Sequence, residues 1–183
     1  KETKDKKEVL SFSITTSEST DLKSSAEILK ARWEELGARV EIKVFESSDL
    51  TQNIIKSRKY DSLLFGEIIN ENTDLHPFWH SSERNDPGLN ISLYANITVD
   101  KILEEMRTMT DPQKIAESKQ AISNEIKKDM PAIFLFTPSL TYLKPPQVKN
   151  ISFKNISAPS ERFSLISKWY IETDKVWEIF ANK

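Results

Sequence analysis

A strand–helix–strand pattern in the early part of the chain constrains its fold more than any other feature of the sequence. Apolar residues recur at steps of four and three, which predicts a helix with one apolar face: Leu22, Ala26, Leu29, Trp33 and Leu36. Gly37 follows and predicts the end of this helix, because glycine favours the left-handed conformation found there. Apolar residues on both sides of the helix predict two strands: Val9, Leu10, Phe12 and Ile14, then Val40, Ile42 and Val44.

The ends of these elements carry weaker signals. The polar residues 15–20 predict the end of the first strand. Ser24 and Glu27 have the spacing of a capping box at the start of the helix, and Asp21 offers a cap one turn earlier.

A second helix and a third strand continue the alternation. Residues 49–58 predict a short helix with Leu50, Ile54 and Ile55 facing inward. The apolar run 60–65 ends at Gly66 and is typical of a buried central strand. This order predicts an α/β fold with a mixed sheet flanked by helices, in which the strand pairing is at least partly parallel.

The segment from residue 67 to residue 94 has a different character. It is long and rich in Asn, Asp, Ser, His and Pro, as binding loops in compact domains often are. Two helices are predicted after it from their inward-facing residues: Val99, Ile102, Leu103 and Met106 in the first, and Ile115, Ile122 and Ile126 in the second.

Capping residues, prolines and short apolar runs predict the structure of the remainder of the chain. Asp111 and Pro112 predict an N-cap followed by proline at the first position of the second helix, and Pro131 predicts its end. Residues 132–136 predict another buried strand, and residues 163–171 predict one or two short strands. Trp177 and Phe180 lie in a charged tail that is predicted to form a short helix.

The composition excludes several classes of function. The 183 residues include no cysteine, which excludes disulfides, thiol catalysis and thiolate metal sites. The charges are interspersed and sum to a formal net charge of -2, whereas nucleic-acid-binding domains usually present a basic face. No apolar run is long enough to span a bilayer. The three glycines are far apart, so neither a phosphate-binding loop nor a Gly-x-Ser-x-Gly nucleophile elbow can form.

The two histidines, His76 and His80, suggest a metal site only weakly. On a helix their spacing places both imidazoles on one face, provided that Pro77 lies in the first turn. Asp74 or Glu83 would complete such a site. The alternative is a short amphipathic helix whose histidines cap it or lie half exposed. Because a histidine pair alone is a weak motif, we expect no metal, no other cofactor and no catalytic residue.

Several short motifs follow one another in a characteristic order. They are residues 26–44, a helix, a Gly turn and a strand; residues 59–61, Lys-Tyr-Asp, leading to Gly66; residues 74–82, Asp-Leu-His-Pro-Phe-Trp-His-Ser-Ser; residues 90–94, Asn-Ile-Ser-Leu-Tyr, before 99–103; and residues 110–112, Thr-Asp-Pro, before a helix that ends at 129–131, Asp-Met-Pro. In this order they resemble the oligopeptide- and dipeptide-binding family of ABC-transporter solute-binding proteins, family 5. The resemblance covers most of the chain, from about Val9 to the tail.

The resemblance implies a fold and a set of partners. Residues 9–183 would form the C-terminal α/β lobe of a two-lobed, periplasmic-binding-protein-like fold, and residues 1–8 a disordered linker or the edge of the chain. The lobes of such proteins close about a hinge and trap the ligand between them. The implied function is the substrate-binding component of an ABC importer, not an enzyme, which captures a peptide or peptide-like solute.

The implied partners are that ligand, the N-terminal lobe of the same parent protein and the permease subunits of the transporter. We expect no nucleic acid, and membrane attachment only through an anchor outside this chain. The implied location is extracytoplasmic, either as a lipid-anchored protein of the cell surface or in the periplasm.

The sequence departs from the family at one motif. In peptide-binding members, the strand that ends at glycine is followed by Trp, two variable residues and an Asp that pairs with the N-terminal amine of the peptide. Here Glu67 follows Gly66, and Asn70 stands in the place of the Asp. Asparagine accepts a hydrogen bond but lacks the charge that strengthens it, which Glu67 would supply from a neighbouring position. This departure leaves open a modified or longer peptide, a pheromone-like signal or a different solute.

Five residues are our candidates for ligand contacts: Glu67, Ile69, Asn70, Trp79 and Tyr94. Ligands of open α/β sheets lie outside the carboxyl ends of the strands, where we expect these residues. Core packing is the alternative role for Trp79 and Tyr94, since large aromatic residues are mostly buried. Asn70 would alternatively stabilise a turn. Asp100 is predicted to be a charge in an early helical turn.

Two other classes of function stay open. One is a hydrolase that uses Glu67, Asp74, His76 and His80, which a metal requirement or substrate turnover would indicate. The other is a signalling or interaction module that kept the fold and lost transport, which loss of ligand binding in the intact protein would indicate. The absence of a compact catalytic constellation in the sequence favours the receptor.

Overall fold

A computed structural model of the chain describes residues 9–69, 73–139, 141–152, 156 and 158–171. The chain divides into two compact units, one formed by Lys1–Glu67 and Asp74–Ile133 and the other by Ile68–Thr73 and Phe134–Lys183. The predictions for residues 1–8, Trp177 and Phe180 lie outside the described residues. In the described ranges, no helix has both the length and the apolar composition that crossing a membrane requires.

The first unit begins with a parallel α/β layer. Its elements are β1 (Ser11–Ser17), α1 (Thr20–Glu35), β2 (Arg39–Phe45), α2 (Ser47–Asp49), which continues as a π-helical turn (Leu50–Ile55), and β3 (Ser62–Leu63). The strand order is β2-β1-β3, and β1 pairs in parallel with both neighbours. The α/β fold with parallel pairing that the sequence predicts is confirmed.

The apolar face of α1 packs on the sheet as its periodicity predicts, except at Leu36, which lies beyond the last helical residue and is 84% exposed. Ile14, Ala26 and Val40 form the buried cluster between them. Trp33 meets Phe12 edge to face, with ring centroids 5.1 Å apart. Burying one such aliphatic side chain stabilises the fold by about 2 kcal/mol. Gly37 ends the helix with φ 91, the left-handed conformation that its position predicts.

Three boundary predictions in this layer are wrong. β1 continues through Thr15 and Thr16, which are buried, because β1 is the central strand and bonds on both sides. The run 60–65 contributes only the short β3, which lies at the edge of the sheet, and Phe65 is 40% exposed. Ser24 lies inside α1, which begins at Thr20 after an N-cap residue, Ser19, without a side-chain cap.

The rest of the first unit is helical. Its helices are α3 (His76–Trp79), a 3-10 turn (Ser81–Arg84), α4 (Ile97–Met106) and α5 (Pro112–Asp129). The cap predicted for α5 is confirmed, since the side chain of Asp111 accepts a hydrogen bond from Gln113 N at 2.9 Å. Met130 ends α5 in the left-handed conformation, with φ 47. A buried cluster holds these elements together: Tyr94, Val99, Leu103, Ile122 and Ile126.

The second unit has less regular structure. β4 (Val148–Lys149) pairs antiparallel with β5 (Tyr170–Ile171), and two 3-10 turns lie at Pro159–Phe163 and Ile166–Lys168. β5 confirms one of the strands predicted within residues 163–171. The buried strand predicted at residues 132–136 is wrong: Ile133 is 72% exposed and Phe134 69% exposed. Among the described residues, no strand pairs with this segment, so it belongs to neither of the two sheets.

Candidate functional site

The carboxyl ends of the three parallel strands meet at one edge of the sheet. The N–H of Glu18, just after β1, donates to Phe45 O, the last residue of β2, at 3.0 Å. Thr16 Oγ1 donates to Leu64 O, just after β3, at 2.9 Å. These bonds hold the three strand ends together. In open α/β sheets this edge is where ligands bind.

Each strand at this edge is followed by a glutamate. Glu18 follows β1, Glu46 follows β2, and Glu67 follows β3 after Gly66. All three residues are exposed. Desolvation nevertheless raises the pKa of the Glu67 carboxyl above its usual value. A carboxylate that loses hydration in this way gains most from a cationic partner. The edge therefore carries negative charge that suits a positively charged group.

Asp61 braces the amino-terminal side of β3 against β1. Its Oδ2 accepts hydrogen bonds from Ser13 N at 2.9 Å and from Ser13 Oγ at 2.7 Å. The hydroxyl of Ser62 donates to Ser13 O at 2.8 Å. Donation by the Ser13 hydroxyl and then by its backbone N–H lowers the pKa of Asp61. The short β3 thus owes its position to side-chain bonds as well as to strand pairing.

The segment between β3 and α4 places Trp79 and Tyr94 in the core of the first unit. The ring of Tyr94 is 7% exposed and meets Trp79 edge to face, with centroids 6.2 Å apart. Burial, with donation of the phenol to Asp129, raises the pKa of Tyr94 to about 12. The structure thus shows both aromatic residues in the packing role that the sequence offered as an alternative. A ligand contact by either residue stays a prediction.

The structure does not bring the five predicted ligand residues into one described group. Glu67 belongs to the first unit with Trp79 and Tyr94, whereas Ile69 belongs to the second unit and is 42% exposed. Asn70 lies outside the described residues. The roles predicted for all five in ligand binding therefore stay predictions.

His76 and His80 form a stacked pair beside α4. Their rings are 4.2 Å apart at the centroids and nearly parallel, and Pro77 lies in the first turn of α3 as the sequence requires. His80 Nδ1 accepts from Ser82 N at 3.1 Å. Because a backbone N–H can only donate, this bond places the ring proton of His80 on Nε2. His80 Nε2 in turn lies 3.4 Å from Glu104 Oε1.

The carboxylates near this pair have structural partners. Asp74 caps the start of α3 by accepting from His76 N at 3.0 Å. Asp100, in the first turn of α4, accepts from Ser81 N and Ser81 Oγ at 2.9 and 2.6 Å. Among the described side chains, no three His, Cys, Asp or Glu residues lie together as a metal site would require. His80 has the capping role that the sequence offered as an alternative, since its side chain accepts from Ser82 N at the start of the 3-10 turn.

Sequence reasoning missed Asn90, the most connected polar side chain of this region. It is fully buried. Its Nδ2 donates to His80 O at 3.0 Å and to Tyr94 O at 2.9 Å, and its Oδ1 accepts from Tyr94 N at 3.1 Å. The only signal was its place in the Asn-Ile-Ser-Leu-Tyr motif. Asn90 closes the loop from which Tyr94 enters the core.

Comparison with known proteins identifies the fold. No protein-family model matches the chain. In sequence, the chain is 22% identical over 163 residues to the oligopeptide-binding protein AppA of Bacillus subtilis (strain 168), a match that covers 88% of this chain. The structure of AppA from Bacillus subtilis in complex with a nonapeptide superposes with a TM-score of 0.70 at 19% identity, covering 94% of this chain and 35% of that chain. The chain is therefore similar to an oligopeptide-binding protein in both sequence and fold.

The match concerns a part of those proteins. The chain spans 29% of the length of AppA. NikZ from Campylobacter jejuni, whose structure is a complex with Ni(L-His), has the same fold with a TM-score of 0.61 at 20% identity, covering 87% of this chain and 33% of NikZ. One fold therefore serves a peptide in one relative and a metal complex in another, so the fold alone does not specify the ligand.

Proposed function

We propose that the chain forms part of one lobe of a solute-binding receptor that captures peptides or peptide-like solutes for an ABC importer. The observation that carries this proposal is the joint match in sequence and fold to an oligopeptide-binding protein along most of the chain. The relatives named above are binding proteins, which supports a receptor rather than an enzyme. The receptor acts outside the cytoplasm, in the periplasm or held to the cell surface by a lipid anchor outside this chain.

The carboxyl edge of the sheet is the proposed ligand-facing surface of this unit. Glu18, Glu46 and Glu67 give it negative charge, and Glu67 has a raised pKa. A peptide presents one obligatory cation, its N-terminal ammonium. A charge-assisted bond between that ammonium and Glu67 restores what the carboxylate loses by desolvation. Glu67, with Asn70 as a neutral acceptor, thereby takes the place of the family's Asp.

The rest of the parent protein is the second proposed partner. Four consecutive apolar residues, Ile133, Phe134, Leu135 and Phe136, are between 42% and 72% exposed. Monomeric proteins rarely leave such a run in water. The chain spans 29% of the length of AppA, and the N-terminal lobe of the parent protein would lie outside this chain. We assign residues 133–136 to contact with the N-terminal lobe. We assign the permease subunits of the importer as the partner to which the receptor delivers its ligand.

Native mass spectrometry of the intact parent protein, purified gently from its own cells, tests the proposal. We expect extra mass that dissociates into a heterogeneous set of short peptides. One discrete non-peptide ligand would preserve the receptor and overturn the peptide assignment. No bound mass, and none gained after addition of a peptide pool, would overturn capture and favour a signalling or interaction module.

A further inference from the structure

The end of α5 is tied to the loop before α4 through one carboxylate oxygen. Tyr94 Oη donates to Asp129 Oδ2 at 2.7 Å, and Asn96 Nδ2 donates to the same oxygen at 2.7 Å. Asp129 is the last residue of α5, where a negative charge opposes the helix dipole. The two bonds offset that penalty and hold the carboxylate in place.

Tyr94 is a rigid donor for this bond. Its ring lies in the buried cluster with Val99 and Leu103. Its backbone N–H and carbonyl are both bound by the side chain of Asn90, at 3.1 and 2.9 Å. A phenol fixed at ring and backbone can move little, so it holds Asp129 in a defined position.

The chain leaves the first unit directly after this contact. Met130 adopts φ 47, Pro131 follows, and the second unit begins at Phe134. Met130 is 74% exposed and Ile133 is 72% exposed, so packing contributes little to their position. The direction in which residues 130–133 leave α5 therefore depends on how firmly Asp129 is held.

We propose that Tyr94 and Asp129 are positioning residues that fix the exit of the chain from α5. Their bond pre-organises residues 130–133, the last of the first unit, for the connection to the second unit. A connection that is already ordered lowers the entropic cost of ligand capture. The inference deepens the proposed function and rests on it for the ligand measurement alone.

Hydrogen exchange of the Met130 amide, which donates to Ile126 O at 2.9 Å, tests the positioning directly. Tyr94→Phe removes the hydroxyl and keeps the ring in the core, and we expect this amide to exchange about fivefold faster. Tyr60→Phe is the matched control, because Tyr60 also donates its hydroxyl, at 2.5 Å, to the backbone carbonyl of Ile91. We expect that control to leave the exchange of the Met130 amide unchanged.

A double-mutant cycle separates the bond from a general loss of stability. If the pair acts as one contact, adding Tyr94→Phe to Asp129→Ala causes no further acceleration of exchange. Unchanged exchange in Tyr94→Phe, an equal change in Tyr60→Phe, or additive effects in the double variant would each overturn the inference.

The ligand measurement uses the intact parent and a pool of nonapeptides. We expect Tyr94→Phe to weaken binding about fivefold while Tyr60→Phe does not. Equal affinity of the two variants, together with faster exchange in Tyr94→Phe, would overturn the contribution of the bond to capture. Failure of the unmodified parent to bind any peptide would overturn the proposed function and leave the exchange result standing.

Discussion

Asp61 Oδ2 accepts both the backbone N–H and the hydroxyl of Ser13, at 2.9 and 2.7 Å, across the boundary between β1 and β3. Ser13 of the central strand thus provides both donors to the carboxylate of the residue directly before the edge strand. The pairing joins two positions 48 residues apart in the chain. Because β3 has only two residues, this contact is a substantial part of its attachment to the sheet.

The Asp61–Ser13 contact predicts a dependence of stability on acid. Hydrogen bonds from Ser13 lower the pKa of Asp61, so the Asp61 carboxylate takes up a proton less readily in the folded chain than in the unfolded chain. The stabilisation is present above the ordinary carboxyl pKa and is lost as the pH falls through the lowered value. In an NMR titration of the carboxyl resonances, Asp61 should titrate at a lower pH than an ordinary aspartate. Ser13→Ala should raise that pKa, whereas Ser11→Ala, on the same strand and exposed, should not.

Replacing Glu67 tests the charge of the carboxyl edge. Glu67→Gln keeps the shape of the side chain and removes the charge that we assign to the peptide ammonium. We expect peptide affinity of the intact parent to fall about tenfold, with a smaller dependence on salt, in isothermal titration. Glu35→Gln is the control, since Glu35 is the last residue of α1 and pairs with Arg32 on the same helix. Equal affinity in Glu67→Gln and the unmodified parent would remove Glu67 from the site.

Removing the Asn90 side chain should destabilise the first unit. Asn90→Ala leaves the carbonyl of His80 and both backbone groups of Tyr94 without their buried partners. Each unsatisfied buried group costs roughly 1–3 kcal/mol, so we expect a loss of about 3 kcal/mol or more in the free energy of unfolding by denaturant titration. Asn85→Ala, at an exposed position of the same loop, should change it by less than about 0.5 kcal/mol. A similar small effect at position 90 would contradict the buried network.

Gly88, in the loop that precedes α4, has no room for a side chain. A Cβ at Gly88 would lie 2.2 Å from Glu83 O, so the backbone must shift to admit any side chain. We expect Gly88→Ala to lower the free energy of unfolding by about 2 kcal/mol, from the range observed for overpacking. Gly66→Ala is the control, because nothing lies within 4 Å of the added carbon there. Equal midpoints of thermal unfolding for the two variants would contradict the close approach.

The periodic helices and strands and the cap of α5 were predictable from local patterns, whereas the buried polar positions were not. The stripe on α1 as far as Trp33, the alternation in β2 and the Asp111–Pro112 start of α5 each follow from local patterns, and the structure confirms all three. Thr15 and Thr16 broke the strand pattern because their polarity masks a buried position. Threonine fits a strand well, and here Thr16 donates its hydroxyl to Leu64 O.

The candidate site was less predictable because its contacts are distant in sequence. The strand that ends at Gly66 and the acidic residue after it were recognisable, and they led to Glu67. That Glu18 and Glu46 follow strands of the same parallel sheet as Glu67 depends on the strand order, which no local pattern encodes. The mistaken strand at residues 132–136 has a related cause. The sequence shows the apolar run, but whether such a run is buried depends on tertiary contacts that the local sequence does not encode.

The position of β2 at the edge of the sheet has a consequence for assembly. Its exposed residues Arg39, Glu41 and Lys43 alternate in charge along the strand. Charged side chains on an edge strand discourage a further strand from joining it. Among the described strands, β3 forms the other edge of this sheet and has no charged residue. Of the two edges, β3 is therefore the one more open to pairing with a further strand.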